Sequence, residues 1–243
     1  MHNINWKKEW KLKLFRPSAR LLRGLRPAAR VINAVLPAAG LVTCAAGVAS
    51  LFRFGLPTGS RVRLLMWAVG IAASCALHET GHVMAAVACG CPVYDTGLWM
   101  KGPIVQGAYV NMRRVAHSRQ QVQMSLAGIE SDLLFSGCFL LKGALQQRAD
   151  CCVLGLLVLT LGLGNLLPDD GKDGNDALSD LLRVDNAAVL AQNVLGSAER
   201  RRRLRRQPYG HLALAILVLV RCTKVLSVVL VMAAGGLAAY MIA

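Results

Sequence analysis

Residues 64–90 read LLMWAVGIAASCALHETGHVMAAVACG, an apolar run with no Lys or Arg and with Glu79 as its one carboxylate. Its length suffices for a membrane-crossing helix, which needs roughly 20 apolar residues. Within it, His78-Glu79-Thr80-Gly81-His82 matches HExxH. On a helix the two imidazoles, at i and i+4, share one face and can bind a single Zn²⁺, with the intervening Glu beside the metal as a general base. Soluble zinc sites carry this motif on an amphipathic helix. Here it sits in a segment suited to lipid.

The rest of the chain agrees. Of its 243 residues 55% are hydrophobic, the mean hydropathy is +0.45, and several apolar runs approach spanning length. These features predict an all-α polytopic membrane protein with about five transmembrane helices, at 31–51, 64–90, 124–141, 151–168 and 222–242. The formal charge of +15 would point to nucleic acid in a soluble protein. Here the densest positive charge lies in two blocks that flank apolar runs, Lys7 to Arg30 and Arg200 to Arg206, which suit anionic lipid head groups on the cytoplasmic side, not nucleic acid. The eight cysteines form no CxxC and read as small buried side chains. The N-terminus reads as a retained first span, not a secretory signal.

Four regions are expected: a basic cytoplasmic segment 1–30, a membrane-embedded core 31–182, a basic cytoplasmic loop 183–209, and a C-terminal part 210–243. The last part divides at Arg221 and Lys224 into an interfacial helix at 211–220 and a final span. With the N-terminus inside, 91–123 and 169–209 also lie inside, and the less basic 52–63 (Arg53, Arg61, Arg63) and 142–150 lie outside. The second and fourth spans then run in the same direction, so the HETGH helix and the acidic stretch after residue 168 can meet. Between them, Pro92, Gly97, Gly102, Pro103 and Gly107 interrupt helical periodicity, and 92–115 reads as a short β-hairpin or re-entrant segment lining the site or the cytoplasmic surface.

Two histidines leave a catalytic zinc site one protein ligand short. His2, His117 and His211 are poorly placed, so a carboxylate is needed, and spacing leaves Asp169, Asp170, Asp173 and Asp176 all open. Asp169 and Asp170 do not fit a calcium loop.

Asn165-Leu-Leu-Pro168, followed after four residues by Asp173-Gly174, resembles the NxxPxxxxDG motif of the site-2 protease family of intramembrane zinc metalloproteases. The patch Gln106-Gly107-Ala108-Tyr109-Val110-Asn111-Met112 is similar to the strand that follows HExxH in those enzymes. The resemblance covers residues ~64–180 in order. It implies one zinc per chain held by His78, His82 and Asp173, with Glu79 as catalytic base. It further implies that Asn165, Gly107, Ala108, Tyr109 and Val110 contact a transmembrane or membrane-associated peptide substrate. Ala127-Gly128 sits where the family often has AGP followed by Asn. Here Ile129 and Asp132 replace the Pro and the Asn, and no role is carried over to them.

The resemblance implies a multi-pass protein of the bacterial cytoplasmic membrane. No segment resembles the PDZ or CBS modules of some members, so regulation is expected from a membrane partner, substrate trimming or the loops. A catalytically silent scaffold is the alternative, which an intact Glu79 disfavours. A metal transporter would need polar residues in other spans, which offer almost none.

Overall fold

A computed structural model describes residues 9–55, 57, 64–113, 118–169, 171–207 and 210–242. His2, Arg61, Arg63, His117 and Asp170 lie outside these. Among the described residues three helices are long and apolar enough to cross a membrane, Ala19–Phe54, Arg119–Leu145 and Ala149–Leu166. The chain is a predominantly helical protein built to associate with a membrane.

A four-helix assembly forms the body. It comprises α1 (Ala19–Phe54), α2 (Leu64–Cys89), α3 (Ser118–Leu145) and α4 (Ala149–Leu166), with α3 packed against the other three. Contacts fix the directions. Gly40 and Gly47 of α1 meet Glu130 and Gly137 of α3, so those helices run parallel. His78 meets Asp132 and His82 meets Met124, so α2 is antiparallel to α3. The Ser136 hydroxyl donates to the Gly155 carbonyl at 2.9 Å, and Gly162 lies against Asp132, so α4 is also antiparallel. Helices α2 and α4 therefore end on the same side, as the expected reach between HETGH and the acidic stretch requires.

Small residues let these backbones approach. A Cβ on Gly137 would lie 2.4 Å from the Cys44 amide nitrogen, and one on Gly81 would lie 2.4 Å from the Ala127 carbonyl oxygen. Between apolar helices such close approach supplies packing and polar contact where lipid provides no hydrophobic drive.

Several elements differ from the sequence reading. Helix α1 begins at Ala19, not near 31, because Ser18 caps it by accepting from the Leu21 amide at 3.2 Å. Its first turns thereby carry part of the basic block, and Pro27 and Pro37 are accommodated inside it. Helix α3 is longer at both ends than 124–141. Helix α4 stops at Leu166 because Leu167 precedes Pro168 and is extended, with φ −67° and ψ 134°.

Within the basic segment expected as a cytoplasmic loop, the described residues 183–207 carry α6 (Ala187–Leu195) and α7 (Ala198–Arg205). Asn186 and Ser197 cap them through the Val189 and Arg200 amides. The expected division at Arg221 is absent. Helix α8 (Gly210–Ile242) is continuous, since neither Arg nor Lys breaks a helix and both have good helical propensity. Its first half packs on α6, burying Ala191, Leu217 and Val220 together.

Residues 93–112 form the expected hairpin, β2 (Val93–Lys101) and β3 (Ile104–Met112), turning at Gly102 with φ 57°. A third strand lies within the segment read only as a basic tail. Strand β1 (Glu9–Phe15) pairs antiparallel to the far side of β2 and gives the order β1-β2-β3. The Trp10 indole donates to the Gly102 carbonyl at 2.8 Å and ties β1 to the hairpin turn.

Candidate metal centre

His78 and His82 lie one turn apart on α2, and both rings point at α3 and at the first residue of α5 (Asp173–Leu182). His78 Nε2 lies 3.0 Å from Asp173 Oδ2, and His82 Nε2 lies 3.5 Å from Asp173 Oδ1. The two Nε2 atoms are 3.2 Å apart. Among the described residues, Asp173 is the one of the aspartates left open by spacing that lies at the histidines. Its place depends on Gly174, where a Cβ would lie 1.8 Å from the Leu166 carbonyl oxygen, so α5 seats directly on the end of α4.

The other ring nitrogens are anchored. His82 Nδ1 donates to the Met124 carbonyl at 2.7 Å. His78 Nδ1 lies 2.7 Å from Asp132 Oδ2, whose other oxygen accepts from Ser74 Oγ at 3.3 Å. A carbonyl or carboxylate only accepts, so each imidazole carries a proton on Nδ1, which leaves Nε2 as the nitrogen that can ligate. Three potential ligand groups therefore converge, and Asp173 Oδ2 is buried without a hydrogen-bond partner among the described residues.

The donor set fits zinc. Bonds of about 2.0–2.2 Å in a tetrahedron put neighbouring ligand atoms roughly 3.3 Å apart, and the observed separations bracket that figure. The ligand atoms of His78, His82 and Asp173 all lie within 4.8 Å of one another. Gly128 leaves the space, since a Cβ there would lie 2.5 Å from both Nε2 atoms.

The site opens on a cavity of about 670 Å³. Glu79, next to His78, is on its wall. So are all five residues expected to contact substrate: Asn165 from α4, and Gly107, Ala108, Tyr109 and Val110 from β3. Strand β3 is an edge strand, paired only with β2 among the described residues. Lys172 Nζ donates to Asn165 Oδ1 at 3.3 Å, which leaves the amide nitrogen to donate elsewhere. Asp169 and Asp176 also line the cavity, outside the ligand set, and His211 lies exposed at the start of α8.

Sequence reasoning passed over what holds the histidines. Asp132, Ser74, Gly128 and the Met124 carbonyl were given no role. A usable signal existed for Asp132, since carboxylates within apolar spans are costly and so mark function.

The sheet is pinned beside the cavity by polar contacts. The Tyr109 hydroxyl donates to Asp95 at 2.9 Å, Asn111 Nδ2 donates to it at 3.2 Å, and Lys13 Nζ is 3.7 Å away. The Tyr109 hydrogen bond holds the Asp95 carboxyl below its usual range. Burial acts the other way, while Asn111 and the two lysines add to the lowering. A lowered folded pKa contributes stability above the unfolded value, about 3.9, and loses it as pH falls through the folded value. Acid should therefore loosen the sheet in the wild type, and Asp95→Asn should flatten that dependence. The emission of Trp10 and Trp99 between about pH 6 and pH 2 provides the measurement, and an unchanged acid transition in the variant would contradict it.

No family model, curated protein or solved structure matches the chain.

Proposed function

We propose that the protein is an intramembrane zinc endopeptidase of the site-2 protease type, cutting a transmembrane or membrane-associated peptide. One observation carries the reading: on an otherwise apolar helix, His78 and His82 turn their Nε2 atoms toward Asp173, with Glu79 adjacent on the wall of an open cavity.

Zinc held by His78, His82 and Asp173 would supply Lewis acidity, activating a water and polarising the scissile carbonyl. The chain's own groups do the rest. Glu79 takes the water proton at its carboxylate and returns it to the leaving amine. The free edge of β3 holds an extended peptide through main-chain hydrogen bonds, which suits a substrate helix that must unwind before it is cut. The Asn165 amide nitrogen, left free by Lys172, donates to the peptide backbone or to the developing oxyanion.

In this reading α1, α2, α3, α4 and α8 are five spans with the N-terminus cytoplasmic, and the arginines of α1 and α7 meet anionic lipid. Reporter fusions after residues 55, 113, 147 and 207 should then alternate between outside and inside, starting outside. Two consecutive fusions on one side would refute that topology.

Metal analysis of the purified protein tests the function. About one zinc per chain is expected, together with cleavage of membrane peptides that stops on chelation and returns with zinc. A preparation that cleaves with no metal bound would end the proposal. A scaffold would show no cleavage with zinc in place.

A further inference from the structure

We propose that Asp132 is a positioning residue for the metal centre, fixing the tautomer and ring orientation of His78 so that Nε2 is presented as a ligand. The inference rests on the zinc reading above and names a side chain that reading does not use.

Asp132 is 4% exposed and lies at the junction of three helices. It projects from α3, and its Oδ2 is 2.7 Å from His78 Nδ1 on α2. Its Oδ1 accepts from Ser74 Oγ, one turn before His78 on the same helix. On the third side α4 closes over it, because a Cβ on Gly162 would lie 2.9 Å from the Asp132 Cβ. The carboxylate is thus held in one rotamer by packing and by Ser74, and it cannot turn away from the imidazole.

The two histidines are held by different means. His82 leans on a backbone carbonyl, which no substitution at residue 124 removes, whereas His78 leans on a side chain. Without Asp132, the His78 proton is free to move to Nε2, and the ring is free to rotate about χ2. Either change withdraws a ligand. Carboxylate partners of metal-bound histidines act in this way, and losing one costs about 10–100-fold in metal affinity.

The test uses the full chain in detergent as wild type, Asp132→Ala and Asp132→Asn. Zinc affinity is read by competition with a chromophoric chelator, and ligand geometry by the visible absorption of bound Co²⁺. Asp132→Ala should bind zinc about 10–100-fold more weakly, with an altered cobalt spectrum. Asp132→Asn should recover most of the affinity and the wild-type spectrum, since its amide oxygen still accepts from Nδ1–H.

Wild-type affinity and spectrum in Asp132→Ala, beside a wild type that binds zinc, would overturn the positioning role alone. Equal losses in Ala and Asn would overturn it too, because an acceptor would not be what matters. A wild type that binds neither metal would remove the zinc reading and this inference with it.

Discussion

Glu79→Gln should slow peptide cleavage by about 10²–10⁴-fold while leaving zinc content at the wild-type level. Glu79 is adjacent to His78 and lines the cavity, yet it is outside the ligand set formed by His78, His82 and Asp173. Gln matches Glu in size and keeps a hydrogen-bonding carbonyl, so the helix and the ligand geometry should persist. What it lacks is a carboxylate able to take a proton. General acid–base groups contribute about 10²–10⁴-fold, so single-turnover cleavage should slow by roughly that factor. Cleavage at the wild-type rate would sink the mechanism and move attention to Asp169 or Asp176 at the cavity wall. A fall in cleavage with loss of zinc would instead reveal a structural role. If the protein were a partner-binding scaffold, the variant would keep its biological activity.

The HETGH helix and the hairpin after it are legible in the sequence because each depends on a local pattern: HExxH works through the helical repeat, and the Pro and Gly positions punctuate the hairpin. Asp173 is not legible in that way, since spacing leaves four aspartates open and only the resemblance to the NxxPxxxxDG motif points to it. Strand β1 was missed although Trp10, Leu12 and Leu14 alternate with Lys11 and Lys13 in the period of a strand. Its lysines suit a lipid surface as well as a strand, and that ambiguity hides the alternation. Lys11 in fact stands over the Tyr109 ring at 4.7 Å, a contact between residues almost a hundred positions apart. The continuity of α8 was hidden for a related reason. Arg221 and Lys224 interrupt hydropathy, but backbone hydrogen bonding does not depend on hydropathy.

The support beneath the site was less legible still. Asp132, Gly128 and the Met124 carbonyl belong to α3, which contributes none of the three ligands. Their importance follows from which face α3 turns to α2, and that is set by packing among four helices. Asn175 illustrates the same limit: its Oδ1 accepts from the Ala188 amide at 2.9 Å. This anchors α6 to α5 two residues from Asp173. Sequence motifs suggest the ligands; three-dimensional packing supplies what aims them.

Gly128→Ala should therefore damage the centre as severely as removing a ligand, although Gly128 binds nothing. Its added Cβ would lie 2.5 Å from the Nε2 atoms of both His78 and His82, and 2.7 Å from His78 Cε1. Carbon–nitrogen contact needs about 3.5 Å, so something must shift by about an ångström. The methyl cannot rotate away, because it is the first atom of the side chain. The histidine rings cannot yield freely, since their Nδ1 atoms are tied to Asp132 and the Met124 carbonyl at 2.7 Å each. Separation of α2 from α3 would stretch those two hydrogen bonds and the one from Ser74 to Asp132. Strain therefore falls on the ligand geometry, where displacements of even 0.5 Å matter. Zinc affinity should drop by at least about 100-fold, beyond the usual cost of losing an outer partner. Chelator competition on the purified variant measures it, with circular dichroism to verify that the helices persist. Gly164→Ala, on the cavity wall with nothing within 4 Å of its Cβ position, is the matched control and should bind zinc like the wild type. Full zinc affinity in Gly128→Ala would show that α3 does not press on the histidines, and the account of how this helix shapes the centre would fail.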